Sequence, residues 1–150
     1  MENHRFLPHV TVAAVIEKNG EFLLVEEKVD GGVFLNQPAG HVEENESLLN
    51  AVRREVLEET AFDFTPRFIS GIYQYFNENN GNYYLRFCFG GTLGDFNKNL
   101  KLAPEIIQIK WLNFENLKNE NLRSKIVLKT IEDYLRGARF DLEILNFYEK

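Results

Sequence analysis

The chain has 150 residues, 44% of them hydrophobic and 27% charged, with a formal net charge of −6 at pH 7. That length suits a single domain, residues 1–150, with one core of its own. No apolar run approaches the roughly 20 residues that span a bilayer, the start Met1-Glu2-Asn3-His4-Arg5 lacks a signal-peptide pattern, and the acidic balance argues against a nucleic-acid partner. The single Cys88 excludes an intramolecular disulfide and a multi-cysteine metal site, and its neighbours Phe87 and Phe89 mark it as a structural strand thiol. A cytoplasmic protein, monomeric or a small homo-oligomer, is expected.

Residues 9–16 form an apolar, β-branched run that predicts a buried strand. Asn19-Gly20 is a hairpin signal before a second run, Phe22 to Val25. Asp30-Gly31-Gly32 marks a turn, and Phe34 to Gly40 predicts a short strand ending in a proline-containing loop. Residues 46–60 predict a helix. Strands follow at 67–76, 83–90 and 106–112, with the Asn-rich stretch 77–82 as the turn between the first two. A last helix is expected near 124–136, where Val127, Ile131, Tyr134 and Leu135 recur at helical spacing, with Ser124 as N-cap and Gly137 at its end. Mixed strands with one helix mid-chain and one near the end predict an α+β fold in α/β/α layers.

The chemistry concentrates between Gly40 and Phe62. On a helix turning about 100° per residue, Glu58 lies about 60° to one side of Glu55 and Glu59 about 40° to the other. Three carboxylates therefore share one face, bordering the apolar stripe of Leu48, Leu49, Val52 and Val56. Like charges this close repel unless a cation neutralises them, and oxygen-only ligands suit Mg2+ or Mn2+. A Glu-rich helix face is by itself most often solvated surface. Gly40, Glu46 and Arg54 at fixed distances from the acids shift the balance towards a site.

Together these residues resemble the Nudix box, Gly-x5-Glu-x7-Arg-Glu-U-x-Glu-Glu-x-Gly-U, where U is a bulky aliphatic residue. Gly40, Glu46, Arg54, Glu55, Val56, Glu58 and Glu59 match, and Phe62 fills the last position as an aromatic. Ala61 departs from the pattern's glycine, which ends the helix in a left-handed conformation costing other residues roughly 1–2 kcal/mol; an altered helix exit is expected. The resemblance implies a Nudix fold, a mixed β-sheet sandwiched between helices, and a hydrolase. It implies that Glu55, Glu58 and Glu59, with the backbone carbonyl of Ala39, hold Mg2+. Arg54 would orient a carboxylate and Glu46 would tie the preceding loop to the helix, through Arg54. The general base would be Glu55 or an acid from a later loop, for which Glu105 is the candidate.

Pro8 to Ala13, Asn36 to His41, Leu85-Arg86-Phe87 and Asn121 to Ser124 extend the similarity towards the bacterial NudJ branch of that family. This resemblance implies a small phosphorylated substrate, a nucleoside di- or triphosphate or a thiamine-related pyrophosphate such as hydroxymethylpyrimidine pyrophosphate, with release of inorganic phosphate. Asn36, Gln37, Arg86 and Arg123 are the candidates for substrate binding. Tyr73, Tyr75, Phe76 and Tyr84 suit either stacking on a heterocycle or core packing, whereas His9 and His41 suit packing better than catalysis. The alternatives are a nucleoside triphosphate pyrophosphohydrolase releasing diphosphate, a Nudix module that senses a nucleotide without cleaving it, and an unrelated acidic interaction domain.

Overall fold

A computed structural model describes residues 5–149; Met1–His4, most of the segment in which no leader pattern is read, and Lys150 lie outside the described residues. Eight strands divide into two four-stranded sheets rather than the single expected sheet. The first contains β5 (Ala39–His41), β1 (His9–Val15), β7 (Asn82–Phe96) and β6 (Phe62–Asn77), in that order across the sheet. It is mixed, because β1 runs parallel to β7 while its other pairings are antiparallel. The second is antiparallel: β3 (Glu21–Val29) is flanked by β4 (Gly32–Asn36) and β8 (Ile106–Asn113), with β2 (Glu17–Lys18) folding back on its start.

Helices cover both sides of these strands. Helix α1 (Leu48–Thr60) sets Ala51, Val52 and Val56 against Val12, Ala14, Leu23, Ile69 and Phe89. On the other side, α2 (Phe114–Leu117) and α3 (Ile126–Leu135) set Leu117, Val127 and Ile131 against Val15, Phe22, Leu24 and Leu35. Strands β1 and β3 are therefore buried on both faces, which is why they read as continuous apolar runs. This is the α/β/α layering expected.

Strands β6 and β7 run well past the predicted segments. Asp63, Pro66, Gly90, Gly91 and Gly94 are poor strand formers, yet register shifts at three points let the hairpin continue through them. Gly91 is needed there, since a Cβ would overlap the Thr65 carbonyl oxygen. The hairpin turn lies where the Asn-rich stretch predicts it: the Asn77 side chain accepts the Asn79 N–H at 3.0 Å, and Gly81 takes the left-handed conformation.

Helix α1 begins at Ser47, whose hydroxyl accepts the Asn50 N–H at 3.1 Å. Its exit is not altered. Ala61 adopts the left-handed conformation itself, φ 61°, and donates its N–H to the Leu57 carbonyl. The carbonyl of Ala61 also receives the Asn97 N–H at 2.8 Å, tying the turn to the far end of β7. At α3 the N-cap is Lys125 rather than the expected Ser124, whose hydroxyl still accepts the Ile126 N–H, and Gly137 follows the helix at φ 90°. A 3-10 turn, Leu142–Ile144, returns the chain to the first core, after Phe140 pairs with Ile69 at the edge of β6.

Candidate active site

Arg54 organises the N-terminal approach to α1. Its Nε and Nη2 donate to the two carboxylate oxygens of Glu46, at 2.7 and 3.0 Å, and Nη2 also reaches the His41 carbonyl at 3.0 Å. Nη1 donates to Glu55 at 2.7 Å and to Glu58 at 3.4 Å. Glu46 in turn accepts the Glu43 N–H at 3.0 Å, so the loop after β5 is clamped to the helix. The Arg54 hydrogen bonds hold the Glu46 carboxyl below its ordinary range, and Glu46 above all pushes the guanidinium pKa upwards. Gly40 leaves the space that Glu55 occupies, because a Cβ there would overlap its carboxylate.

Glu59 is 3% exposed and accepts the Ala39 N–H at 2.8 Å. Burial pushes its carboxyl well above the ordinary value, the Ala39 hydrogen bond opposes this, and the charges of Glu55, Glu27 and Glu105 add to it. Glu55 is raised as well, by burial first, against the pull of Arg54. Glu58 differs: half of its side chain is exposed. Among the described residues no three carboxylates, histidines or cysteines converge closely enough to enclose an ion. The donor set nevertheless fits a hard divalent cation, since Glu55 and Glu59 are oxygen donors largely out of water whose ionised forms need compensation.

Glu55 forms one wall of a cleft of about 400 Å3. Arg54, Ala39, Gly40 and His41 lie on the same side, and Asn36, Arg86, Glu105 and Arg123 also line it. The structure thus brings together most of the residues singled out from the sequence. Glu58, Glu59 and Gln37 are the exceptions, for none of the three lines the cleft. Side chains alternate along extended chain, so Asn36 faces the cleft while Gln37 turns to α3, donating to the Thr130 hydroxyl at 2.6 Å. It is 1% exposed and does not line the cleft. A larger hollow, about 630 Å3, opens between Phe62, Leu93 and Trp111 and includes none of the box carboxylates.

Further cleft residues escaped the sequence reading, Glu27, Thr11 and Asn77 among them. Glu27 is buried, accepts the Asn36 amide at 3.5 Å and faces Arg123 Nη1 at 3.6 Å; burial raises its pKa despite that neighbour. The available signal was parity, for Glu27 follows Leu23 and Val25 on one side of β3. Thr11 stands beside Arg86 in the β1–β7 register, and Asn77 ends β6 at the cleft mouth. Tyr75 and Tyr84 stack on one another with centroids 5.3 Å apart, and Tyr84 adjoins the His9–His41 pair, whose ring nitrogens lie 2.9 Å apart.

A helix carrying Arg-Glu-x-x-Glu-Glu, clamped to a glycine loop over a polar cleft, is the arrangement around which one family is defined. The NUDIX domain family model matches residues 6–131. The chain belongs to the Nudix family. It is 38% identical over 141 residues to "Phosphatase NudJ" of Shigella boydii serotype 4 (strain Sb227), covering 93% of this chain and 92% of that protein. Identity to the protein of the same name from Escherichia coli strain K12 is 37% over the same shares. Among solved structures, a Nudix hydrolase from Nitrosomonas europaea is 43% identical with a TM-score of 0.92, covering 95% of this chain and 98% of that one. The MutT protein from Methanosarcina mazei Go1 is 30% identical with a TM-score of 0.69, over 86% and 94%. The chain is a Nudix hydrolase with the Nudix fold, and enzymes of this family generally use divalent metal ions on small phosphorylated substrates.

Proposed function

We propose that this Nudix hydrolase is a Mg2+-dependent phosphatase of small diphosphate-containing molecules, releasing inorganic phosphate. Its substrate would be a nucleoside di- or triphosphate or a thiamine-related pyrophosphate such as hydroxymethylpyrimidine pyrophosphate. The observation that carries this reading is a cleft lined by carboxylates and by two arginines, Arg86 with open donors and Arg123 paired with Glu27. The relatives named as phosphatases supply the product class.

Glu55, Glu58, Glu59 and the Ala39 carbonyl would hold the metal, with Mn2+ as a substitute. Bound metal supplies charge neutralisation at the diphosphate oxygens and a lowered pKa for an attacking water. Arg54 keeps Glu55 oriented, and Glu55 or Glu105 takes the proton of that water. Asn36, Arg86 and Arg123 bind the substrate, with Tyr75 and Tyr84 beside its organic group. Neither nucleic acid nor membrane is a partner on this reading: the net charge is −6, and no helix among the described residues is long and apolar enough to cross a bilayer. The enzyme would act in the cytoplasm, as a monomer or small homo-oligomer.

The test is phosphate and diphosphate release across a panel of nucleotides and thiamine-pathway pyrophosphates, with Mg2+ and with EDTA. Metal-dependent phosphate release is expected. Diphosphate in its place would make the enzyme a triphosphate pyrophosphohydrolase, and no release from any compound would leave a sensing module.

A further inference from the structure

Arg86 combines two properties that rarely occur together. It is 6% exposed, yet its Nε and Nη1 have no hydrogen-bond partner among the described residues. Thr11, its neighbour across the parallel β1–β7 pairing, is 3% exposed and its hydroxyl is equally without a partner. Both side chains line the same cleft. Buried polar groups are ordinarily bonded, and a buried cation left with open donors is costly to the fold. Three unshared polar atoms on one patch therefore point to a ligand that completes them.

The chemistry of the patch defines that ligand. The open Nε–H and Nη1–H of Arg86 diverge instead of forming one parallel pair, so each can donate to a separate anionic oxygen, and a hydroxyl adds a third contact. The Arg86 guanidinium carbon lies 5.8 Å from the Tyr75 ring centroid, so the guanidinium is backed by an aromatic face. Among the described residues no carboxylate forms an ion pair with Arg86; Glu27 within the same cleft is taken by Arg123 and Asn36. The patch also has a floor: β1 and β7 are the two central strands of their sheet, so the sheet closes the cleft beneath Thr11 and Arg86.

We propose that Thr11 and Arg86 form a closed oxyanion subsite that takes the terminal phosphate of the substrate. The inference rests on the phosphatase reading and sharpens it. A phosphate at the closed floor has no room for a second organic substituent, so the enzyme selects diphosphates with a free end over diphosphates esterified at both ends. The same placement sets the terminal phosphoryl group deepest, with the organic group towards Tyr75, Tyr84 and the mouth.

Binding can be measured apart from turnover, by calorimetry with inorganic diphosphate on the full chain in EDTA. Wild type should bind, Arg86→Met should weaken binding at least tenfold, and Thr11→Val should weaken it several-fold. Because Arg86→Met removes a buried cation without partners, it should keep or raise the melting temperature and leave Mn2+ affinity unchanged. A lowered melting temperature with unchanged diphosphate affinity would show a structural arginine and overturn the subsite. In turnover, KM for a nucleoside diphosphate should rise in Arg86→Met, and wild type should prefer that substrate at least 100-fold over a dinucleoside diphosphate. Equal turnover of the two would overturn the terminal-phosphate assignment. If wild type hydrolyses nothing yet loses diphosphate binding on Arg86→Met, the phosphatase reading falls and the anion subsite stands.

Discussion

At the scale of single residues, burial decides chemistry more than residue type does. Cys88 has no exposed surface, and burial pushes its thiol up to about 12 from 9.0. It should resist iodoacetamide at pH 8 in the folded protein and react fully once unfolded. The folded thiol's pKa is the higher one, so this group's contribution is intact below pH 9 and is lost as pH rises from 9 towards 12. Stability should fall from pH 8 to 10.5 by on the order of 1–2 kcal/mol more in wild type than in Cys88→Ala. Denaturant midpoints at the two pH values measure it, and equal losses would refute the assignment. Glu27 and Gln37 show the limit of reading residues singly. Each is a polar side chain in an ordinary-looking segment, and only the direction in which the strand points it separates a cleft acid from a packing amide.

Elements were legible where pattern and packing agree. Helix α1 carries caps, an apolar stripe and the box, and the runs 12–15 of β1 and 22–25 of β3 are apolar because helices cover both their faces. The ends of β6 and β7 were hidden, since bulges and close backbone approach, rather than side-chain propensity, hold Pro66 and Gly91 in the ladder. The helix exit was misjudged for a related reason. Ala61 lies in the left-handed region because its N–H, its carbonyl and its buried methyl group are all fixed by neighbours. That conformation still carries strain, so Ala61→Gly should stabilise the protein by about 1 kcal/mol without changing kcat. Urea titration of the two proteins checks this, and a destabilised glycine variant would mean that methyl packing outweighs the strain.

For the whole molecule, two apolar clusters hold the layers together while the carboxylates sit at their border. Metal should therefore tune stability without being required for folding. A ligand that binds only the folded state at 100 times its Kd adds about 2.7 kcal/mol, so Mg2+ should raise the melting temperature of wild type above its value in EDTA. Glu59→Gln should fold, because an amide oxygen still accepts the Ala39 N–H, but it should lose both that shift and most turnover. A full shift in the variant would remove Glu59 from the ligand set. The family and the catalytic helix were readable from one segment of 23 residues, Gly40 to Phe62; elsewhere in the cleft Arg86 and Arg123 were named from the sequence, but Glu27 and Asn77 were not, since they reach it only through the pairing of distant strands.

That pairing has a kinetic side. Thr11 and Arg86 are neighbours on parallel strands but roughly 75 residues apart in the chain, and a loop of that length must close before either gains its partner strand. During synthesis the first strand is made long before its companion exists, with only the antiparallel contact of β5 available to it. Box helix, glycine loop and first core can gather early, while the floor of the cleft must wait for β7. A nascent chain halted before β7 would carry every glutamate of the box and still have nowhere to put a phosphate.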